Sequence, residues 1–471
     1  MASSKNTKAD VKALNLKTSR LSGFYKLERG ARLDYLCDFS DLPVDQARIL
    51  GQDGSLSFDL SDLFVENAVG SFPLPLGIAT SFKMNGNDYV LPMAVEESSV
   101  IAAASNAARW VYQCGGFSAE CKSNLMIGQV QLLDAPVERF EIIKEQLLAE
   151  KESLLQLANQ VHPRLLMRGG GVRDLEVHLF PNAEIPFIVV HWLLDTSDAM
   201  GANLVNTLCE KMAPELERIS GCRAGLRILS NLANRKLFTA KCRLDLKTLE
   251  LNESGRTLSG EQVAKHIVEA FVFADNDPHR AATHNKGIMN GIDPVAIATG
   301  NDWRAIEAGA HAYASLSGRY RSLSRWSLEK NSLGEVTGLL GELTLPLQVG
   351  TVGGVTRLHP MAKVSLQILG NPRAKDLGCL MACAGLASNL AALKALCTTG
   401  IQRGHMKLHA KNLSLAAGAR GSEVEWVSSR LVAESKVSAS VAERILGELR
   451  RSQEAYSKEY GNSDSDMDTS L

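Results

Sequence analysis

Long apolar runs and net charge are both scarce in this sequence of 471 residues. Residues 1–20 lack an apolar core of about 7–15 residues, and no run of about 18 apolar residues occurs, so we expect neither a signal peptide nor a transmembrane helix. The formal net charge of -1 gives no electrostatic reason to expect a nucleic acid or an anionic membrane as a partner. Ligands must therefore be inferred from local motifs.

The nine cysteines are odd in number and form no CxxC pair. Most stand among apolar residues, as Cys209, Cys379, Cys383 and Cys397 do, which is typical of buried thiols. This usage argues against a disulfide framework and against a zinc site, and it indicates a reducing compartment. We therefore expect a cytoplasmic protein.

The composition is that of an ordinary soluble globular protein, with 45% hydrophobic and 22% charged residues. A chain of this length is too long for one small core, so two or three domains are expected. Residues 1 to about 20 are polar and are predicted to be frayed. The acidic stretch from Ser452 contains almost no aliphatic residue and is predicted to be disordered.

The stretch from His279 to Trp303 brings together Lys286, Asp302 and several amide and small side chains. Gly291 and Gly300 interrupt its short apolar runs, so the pattern fits neither an amphipathic helix nor a strand. One interpretation is a loop followed by a buried helix whose polar residues are merely solvated. The other is that the ammonium and the carboxylate serve chemistry.

Residues 66–105 carry a hairpin signal, the Asn-Gly pair at 85–86, between two segments rich in β-branched and aromatic residues. Helical density from Ser98 to Val111 then places Glu96 and Glu97 at a strand-to-helix junction. Acidic residues at a helix start are stabilised by the helix dipole, so a purely structural role is one interpretation. The other is catalytic, because a partly desolvated carboxylic acid can hold a proton near neutral pH.

From residue 124 the pattern changes to short strands and longer helices. Strands are predicted at 125–133, 175–180, 186–194 and 226–230, and helices at 137–160 and 203–219. The order β-α-β-β-α-β is that of a ferredoxin-like domain, an antiparallel sheet with two helices on one face. Two glycine-rich turns lie at its edges, GGGVRD at 169–174 and DAMGAN at 198–203, and the second opens a helix whose N-terminal amides could receive a phosphate.

Eight short motifs follow one another along the chain: ENAVG with PLPLG, VEESS, GGGVRD, DAMGAN, RILSN, RAATHNKGIMNGID, GNDWRA and GIQRGHMKLHA. Together they resemble the 3-hydroxy-3-methylglutaryl-coenzyme A (HMG-CoA) reductases, specifically the soluble class II enzymes of bacterial type. The resemblance covers roughly residues 20–450. Each motif alone is weak, whereas all eight in the family's order are highly specific.

The resemblance implies an α+β fold in three parts. A large, mostly helical domain around a long central helix comprises residues 1–123 and 231–398. A small ferredoxin-like, non-Rossmann dinucleotide-binding domain, residues 124–230, is inserted into it. A mobile C-terminal helical flap, residues 399–455, precedes a disordered tail at 456–471. The family also implies a homodimer, or dimers assembled further, without a membrane anchor.

The implied reaction reduces the HMG-CoA thioester to mevalonate and free CoA by two hydride transfers from a nicotinamide, and the same residues would serve the reverse direction. On the family's motifs, Lys286 stabilises the oxyanion that hydride addition creates, and Asp302 orients Lys286. Glu97 donates a proton in the later reduction, for which it must hold that proton near neutral pH. His405 protonates the departing CoA thiolate, a task that suits an imidazolium.

Substrate and cofactor contacts follow from the same motifs. The residues implied to hold the HMG carboxylate, hydroxyl and carbonyl groups are Ser99, Arg280, Asn290 and Asn231. The residues implied to bind the cofactor are Asp198, Met200, Gly201, Asn203 and His162. Ser388 departs from the family, in which relatives place a glutamine, so one contact to the HMG group is expected to be shortened or mediated by water.

The cofactor preference is predicted from the stretch before the GGG turn. NADH-preferring class II relatives place an acid there, and a carboxylate on the adenosine ribose repels the extra phosphate of NADP. This chain has His162 near that position, with Arg164 and Arg168 close by. We therefore predict NADPH as the preferred reductant, with NADH tolerated. The alternative is that His162 only ends the helix and that both arginines face solvent.

Two alternatives bear on function. His405 and His409 have a spacing that can bind a metal, yet no third ligand stands nearby, so no metal is expected.

A non-catalytic regulator that binds acyl-CoA or a nucleotide on the same fold would show no turnover. Every expected catalytic side chain is present, which favours the enzyme.

Overall fold

The protein is described by a computed structural model that covers residues 17–21, 23–52, 56–253, 256–398, 410–434 and 438–460. Helices and strands are mixed, as the α+β class predicts. The chain divides into two compact units, residues 1–394 and residues 395–471. All strands of the described ranges belong to the first unit.

The helices up to residue 397 are interspersed with the strands and are accompanied by two short 3-10 turns, Phe24–Lys26 and Val137–Arg139. Their bounds are α1 (Arg29–Ser40), α2 (Val44–Gly51), α3 (Phe58–Phe64), α4 (Val100–Gln113), α5 (Phe140–Ala149), α6 (Lys151–Val161), α7 (Pro163–Met167), α8 (Ala202–Ser220), α9 (Leu246–Leu249), α10 (Gly260–Asn276), α11 (Pro278–Ala298), α12 (Trp303–Ala314), α13 (Gly354–Leu358), α14 (Pro360–Ile368) and α15 (Ala374–Cys397).

The strand ladders of the described ranges are antiparallel, in the orders β1-β2, β9-β10, β11-β12-β8-β3 and β5-β6-β4-β7. Their bounds are β1 (Leu76–Met84), β2 (Asn87–Ala94), β3 (Ser118–Cys121), β4 (Leu125–Leu133), β5 (Gly171–Phe180), β6 (Phe187–Asp195), β7 (Arg223–Leu229), β8 (Leu237–Asp245), β9 (Leu251–Glu253), β10 (Arg256–Leu258), β11 (Ser324–Lys330) and β12 (Val336–Pro346).

The hairpin β1-β2 turns at Asn85 and Gly86, as the sequence predicts. Their φ angles of 50° and 87° are those of a tight turn that favours Asn and Gly. Strand β2 ends at Ala94, and α4 begins at Val100. The segment between them therefore is the predicted strand-to-helix junction, and it carries Glu97.

The sheet β5-β6-β4-β7 has the strand order that a β-α-β-β-α-β sequence forms in a ferredoxin-like fold. Helices α5, α6 and α8 cover one of its faces, where Leu147, Leu154 and Leu208 pack with Trp192 of β6. The prediction of one long helix at 137–160 is wrong. A 3-10 turn, α5 and α6 replace it, because the backbone at Glu150 leaves the helical range with ψ of 7°.

Helix α15 forms the centre of the first unit. Gly378 approaches the ring of Phe238 on β8, where a Cβ would lie 2.3 Å from a ring carbon, and Gly385 contacts Ile292 of α11. By length and composition alone α15 could cross a membrane, because its 18-residue window has a mean hydropathy of 1.6. Since 78% of that window is buried inside the fold, its composition is that of a core helix.

Helix α11 replaces the predicted loop in the stretch that begins at His279. It starts with Pro278 at its first position, and the Asp277 carboxylate caps it by accepting from the backbone N of His279 at 2.8 Å. Gly291 does not interrupt this helix. A Cβ at Gly291 would lie 2.2 Å from the backbone oxygen of Ala384, so the glycine allows α11 and α15 to approach closely.

The second unit is helical in its described ranges. It contains helical residues 410–416, α16 (Ser422–Ala433) and α17 (Ala439–Tyr460). Val427 and Leu431 of α16 pack with Ala442 and Ile445 of α17 in its core. Helix α17 includes residues 456–460, which the sequence assigns to the disordered tail, and the rest of that tail lies outside the described residues.

Candidate active site

Lys286 and Glu97 meet although 189 positions separate them in the chain. Lys286 Nζ, on α11, donates to Glu97 Oε2, at the junction of β2 and α4, at 2.8 Å. The two side chains are 60% and 41% exposed, so a substrate can reach the pair. An ammonium and a carboxyl at this separation can stabilise an oxyanion and transfer a proton at one substrate oxygen.

Asp302 lies at the N-terminus of α12, where its Oδ1 accepts from the backbone N of Ala305 at 3.1 Å. Arg304 lies 3.9 Å from the same oxygen. The Asp302 carboxylate is not within 4.0 Å of Lys286 Nζ, and the direct ionic partner of Lys286 among the described residues is Glu97. The orientation of Lys286 by Asp302 stays a prediction.

Arg280 is a half-buried cation near the start of α11. It forms no ion pair with any residue of the described ranges, and burial lowers the pKa of its guanidinium from the ordinary value. A cation in this state gains from an anionic ligand, because the ligand offsets the cost of removing the guanidinium from water. The predicted role of Arg280 in holding a carboxylate is consistent with this environment.

The other predicted substrate residues keep their hydrogen-bonding groups available. The side chains of Ser99, Asn231 and Asn290 make no hydrogen bond to another residue of the part that the structure covers. Asn290 lies one helical turn after Lys286 on the same face of α11, since residues four apart are neighbours on a helix. The backbone oxygen of Asn231, by contrast, accepts from the amide of Gln348.

The DAMGAN turn joins β6 to α8 in a conformation that requires Gly201. Its φ is 106°, and a Cβ there would lie 2.3 Å from Thr196 Cγ2. Helix α8 begins without a side-chain cap, and Asn203 is exposed in its first turn. Uncapped N–H groups at a helix N-terminus suit a phosphate. The Asp198 carboxylate instead accepts from the backbone N of Ala374 at 3.0 Å, at the start of α15.

The DAMGAN turn and Asp302 approach the same loop, the one that follows β12. Gly350 N in this loop donates to Asn301 Oδ1, next to Asp302, at 2.8 Å. A Cβ at Gly350 would lie 2.3 Å from the backbone N of Met200. Gly350 therefore brings a predicted cofactor residue, Met200, close to the segment that carries a predicted catalytic residue.

His162 ends α6 and is held against α8. Its Nε2 donates to the backbone oxygen of Leu204 at 2.8 Å, so the imidazole lies beside the first turn of the helix that the DAMGAN turn opens. Arg164 and Arg168 are exposed. These positions agree with both interpretations of His162, as a helix terminator and as a residue near the cofactor.

Ser388 is buried in α15, with 6% of its surface exposed. Its hydroxyl lies against α11, where a Cβ at Gly291 would be 2.7 Å from Ser388 Oγ. The hydroxyl has no hydrogen-bond partner within the described ranges. His405, the predicted donor to the thiolate, lies outside the described residues.

Asp293, which sequence reasoning missed, belongs to a chain of polar groups next to the site. It lies two helical turns after Lys286 and shares a hydrogen bond with Glu307 of α12. Glu307 Oε2 lies 2.6 Å from His311 Nε2, and His311 Nδ1 lies 2.7 Å from the Tyr320 hydroxyl. Burial, followed by the Glu307 contact, raises the pKa of the Asp293 carboxyl well above its ordinary value.

We expect Asp293→Asn to remove part of the loss of stability at alkaline pH. A carboxyl with a raised pKa in the folded state contributes stability that is fully present below its unfolded pKa of about 4 and is lost as the pH rises through the raised folded pKa. Asparagine keeps the neutral shape and cannot ionise. Melting temperatures at pH 6 and pH 8.5 measure this, with the exposed Glu261→Gln as control, and an unchanged difference between the two pH values would contradict the assignment.

Lys236 is a second residue that no sequence pattern indicated. It is fully buried, and its Nζ donates to the backbone oxygen of Val349 at 3.2 Å and to Thr196 Oγ1 at 3.4 Å. Burial lowers the pKa of its ammonium to about 8. Lys236 thereby ties the segment after β6, which leads into the DAMGAN turn, to the loop after β12.

Comparisons with known proteins point to one family. The sequence model for hydroxymethylglutaryl-coenzyme A reductase matches residues 29–410. The chain is 44% identical over 436 residues to the HMG-CoA reductase of Archaeoglobus fulgidus, which covers 92% of this chain and 95% of that protein. An HMG-CoA reductase structure from Streptococcus pneumoniae has a TM-score of 0.76 and 44% identity, covering 91% of this chain and 99% of that one.

A second structure from Streptococcus pneumoniae, described as a class II HMG-CoA reductase bound to NADPH in open conformations, has a TM-score of 0.74 and 44% identity, and covers 90% of this chain and 100% of that one. The family match and these relatives define the chain as an oxidoreductase. The chain belongs to the HMG-CoA reductase family. Its function is that of an HMG-CoA reductase of the mevalonate pathway. The predicted family and the predicted function are therefore both confirmed.

Proposed function

We propose that Lys286 and Glu97 are the catalytic pair with which this chain reduces HMG-CoA, assisted by Asp302 and His405 as in class II enzymes. The 2.8 Å contact between Lys286 Nζ and Glu97 Oε2 carries the proposal. Hydride addition to a carbonyl carbon leaves a negative oxygen, and the fixed ammonium of Lys286 stabilises it. Glu97, at hydrogen-bond distance from that ammonium, supplies the proton that this oxygen takes up in the aldehyde reduction.

The substrate is held by groups that the fold leaves available. Arg280 binds a carboxylate of the substrate, and Ser99, Asn231 and Asn290 bind its hydroxyl and carbonyl oxygens. Support comes from the lack of an ion-pair partner for Arg280 in the ranges covered by the structure, and from the position of Asn290 one turn from Lys286. The HMG portion would thus lie along α11.

A nicotinamide cofactor, when bound, supplies the hydride. The residues that would hold it are Gly201 and Asn203 at the first turn of α8, with Asp198, Met200 and His162 around them. The chain fits such a ligand, because Gly201 adopts a left-handed φ of 106° and leaves the first N–H groups of α8 without a side-chain cap.

The direct test is turnover by the purified chain. Incubation with HMG-CoA and NADPH should oxidise two NADPH per HMG-CoA, as the fall in nicotinamide absorbance reports. Mevalonate, CoA and the oxidised cofactor should drive the reverse reaction at the same site. A protein that binds HMG-CoA and NADPH without turnover would instead be the non-catalytic regulator.

We expect His405→Gln to lower thioester reduction by about 10²-fold and to leave mevaldehyde reduction nearly unchanged, because only the first step releases a thiolate that needs a proton. The flap is proposed to deliver His405 to the substrate. Rates with HMG-CoA and with mevaldehyde at saturating NADPH measure the effect. His409→Gln is the matched control, and equal losses with both substrates would argue against the role.

We expect a higher kcat/KM for NADPH than for NADH, with NADH still used. The class II relative from Streptococcus pneumoniae that binds NADPH supports this preference. His162→Asp should shift the ratio toward NADH by about tenfold, because a carboxylate near the adenosine ribose repels a phosphate. His162→Asn separates this charge effect from loss of the Leu204 contact. A wild-type preference for NADH would contradict the prediction.

The domain organisation implied by the family is also part of the proposal. Residues 1–123 and 231–398 form the large domain, residues 124–230 bind the cofactor, and residues 399–455 form the flap, before a tail at 456–471. We further propose a cytoplasmic homodimer, or an assembly of dimers. Support for a second copy comes from Val69 and Phe72, which are 98% and 91% exposed and would gain from burial.

A further inference from the structure

The face of the sheet β5-β6-β4-β7 that lies opposite α5, α6 and α8 carries a group of polar side chains unrelated to the reaction described above. Glu176 and His178 alternate with the core residues of β5, so both point to this opposite face. His191 of β6 pairs with Glu176 across the strands, and it also pairs with Gln129 of β4. Register alone therefore aligns Glu176, His191 and Gln129 in one row.

The distances within this group are those of a cluster rather than of separate surface residues. One donor atom from each of Glu176, His178 and His191 lies within 4.8 Å of the other two. His178 Nε2 and Glu176 Oε2 are 3.3 Å apart, and the rings of His178 and His191 have centroids 4.3 Å apart. Two ligands bound to one metal at about 2.0–2.2 Å each are separated by a similar distance, so small rotations of the side chains suffice.

The surroundings hold these side chains in place while leaving them accessible. Arg235 donates to Glu176 Oε1 at 2.8 Å, which fixes the carboxylate and leaves Oε2 directed at His178. Gln129 Nε2 lies 2.8 Å from His191 Nε2 and orients that ring. The side chains of His178 and Glu176 are 42% and 27% exposed. Contacts of this kind around a metal ligand set its orientation.

We propose that Glu176, His178 and His191 form a binding site for a divalent transition-metal ion, of which Zn²⁺ is the reference. Two imidazoles and one carboxylate favour first-row transition metals over Mg²⁺ and Ca²⁺, which prefer oxygen ligands. The ion would join β5 to β6 and take its remaining ligands from water. Its ligand His191 lies four residues before Asp195, where β6 leads into the DAMGAN turn.

The test uses the full chain expressed without a histidine tag and stripped with a chelator. Calorimetric titration with Zn²⁺ should show one ion per chain, Co²⁺ should give a d–d absorption spectrum without thiolate bands, and Mg²⁺ should not bind. His178→Gln and His191→Gln should each weaken Zn²⁺ binding by at least about 100-fold. His266→Gln, which removes an imidazole from α10, should bind as the wild type does.

Saturable binding that survives in both imidazole variants would overturn the proposal, as would a wild-type chain that binds no Zn²⁺. Cobalt spectra with thiolate bands would assign the ion to cysteines and would overturn it as well. The melting temperature of each metal-free variant shows that it folds, and the rise on adding Zn²⁺ should occur only in the wild type and His266→Gln. If an imidazole variant does not fold, Glu176→Gln provides the same comparison.

Discussion

Lys286→Ala is expected to lower turnover by at least about 10²-fold, a loss on the order of 3 kcal/mol in transition-state stabilisation. The ammonium has one described ionic partner, Glu97, and the substrate oxyanion would be its second. Alanine removes the charge that the oxyanion needs, and it also leaves Glu97 without its 2.8 Å contact. The value of kcat with HMG-CoA and NADPH, both saturating, measures the effect.

The fold should survive this substitution. Lys286 is 60% exposed, and an exposed ion pair contributes little to stability, about 0–1 kcal/mol. Lys265→Ala is a matched control, because Lys265 is 51% exposed and pairs with Glu261 on the neighbouring helix α10. An unchanged kcat in Lys286→Ala, with the melting temperature preserved, would remove the oxyanion role.

Gly291→Ala is expected to lower the free energy of unfolding by about 2–3 kcal/mol, because it overpacks the crossing of α11 and α15. The new Cβ would lie 2.2 Å from the backbone oxygen of Ala384, and backbone atoms of a buried helix cannot rotate away. The two helices must separate to admit it. Urea denaturation followed by circular dichroism measures the loss.

Gly287→Ala tests the same exchange one turn earlier on α11. Outside its chain neighbours and the nearby backbone of α11, no atom lies within 4 Å of a Cβ at Gly287, so only the helix propensity of alanine acts, and a gain of about 0.5–1 kcal/mol is expected. Both substitutions replace glycine by alanine, and they are expected to change the free energy of unfolding in opposite directions. A similar loss in both would show that glycine serves flexibility in α11 rather than close packing.

Local patterns predicted the elements that local interactions determine. The Asn-Gly turn of the β1-β2 hairpin and the β-α-β-β-α-β order of the sheet β5-β6-β4-β7 were readable because turn chemistry and periodicity act within a few residues. The prediction of a loop was wrong for α11, because the pattern treats Gly291 as an interruption of a helix. The glycine is required instead by the backbone of Ala384, which is close to Gly291 in space and remote from it in the chain.

The candidate site also has a part that local motifs predict and a part that only the fold shows. The motifs indicated Lys286 and Glu97 separately, yet only the fold shows that they lie 2.8 Å apart. No motif indicates Asp293, because the raised pKa of its carboxyl depends on burial and on the contact with Glu307. Lys236 shows no pattern at all, since its partners Thr196 and Val349 come from two distant loops.

The position of α15 in the chain has a consequence for synthesis. The helix begins at Ala374, after every strand of the first unit, and yet β8 and α11 complete their packing only against it. At about 5–20 residues per second, a ribosome needs about 5–20 s to pass from the end of α11 to the end of α15. During that interval the faces of β8 and α11 that α15 covers are exposed to chaperones. A chain truncated before residue 374 should therefore aggregate instead of folding into a smaller enzyme.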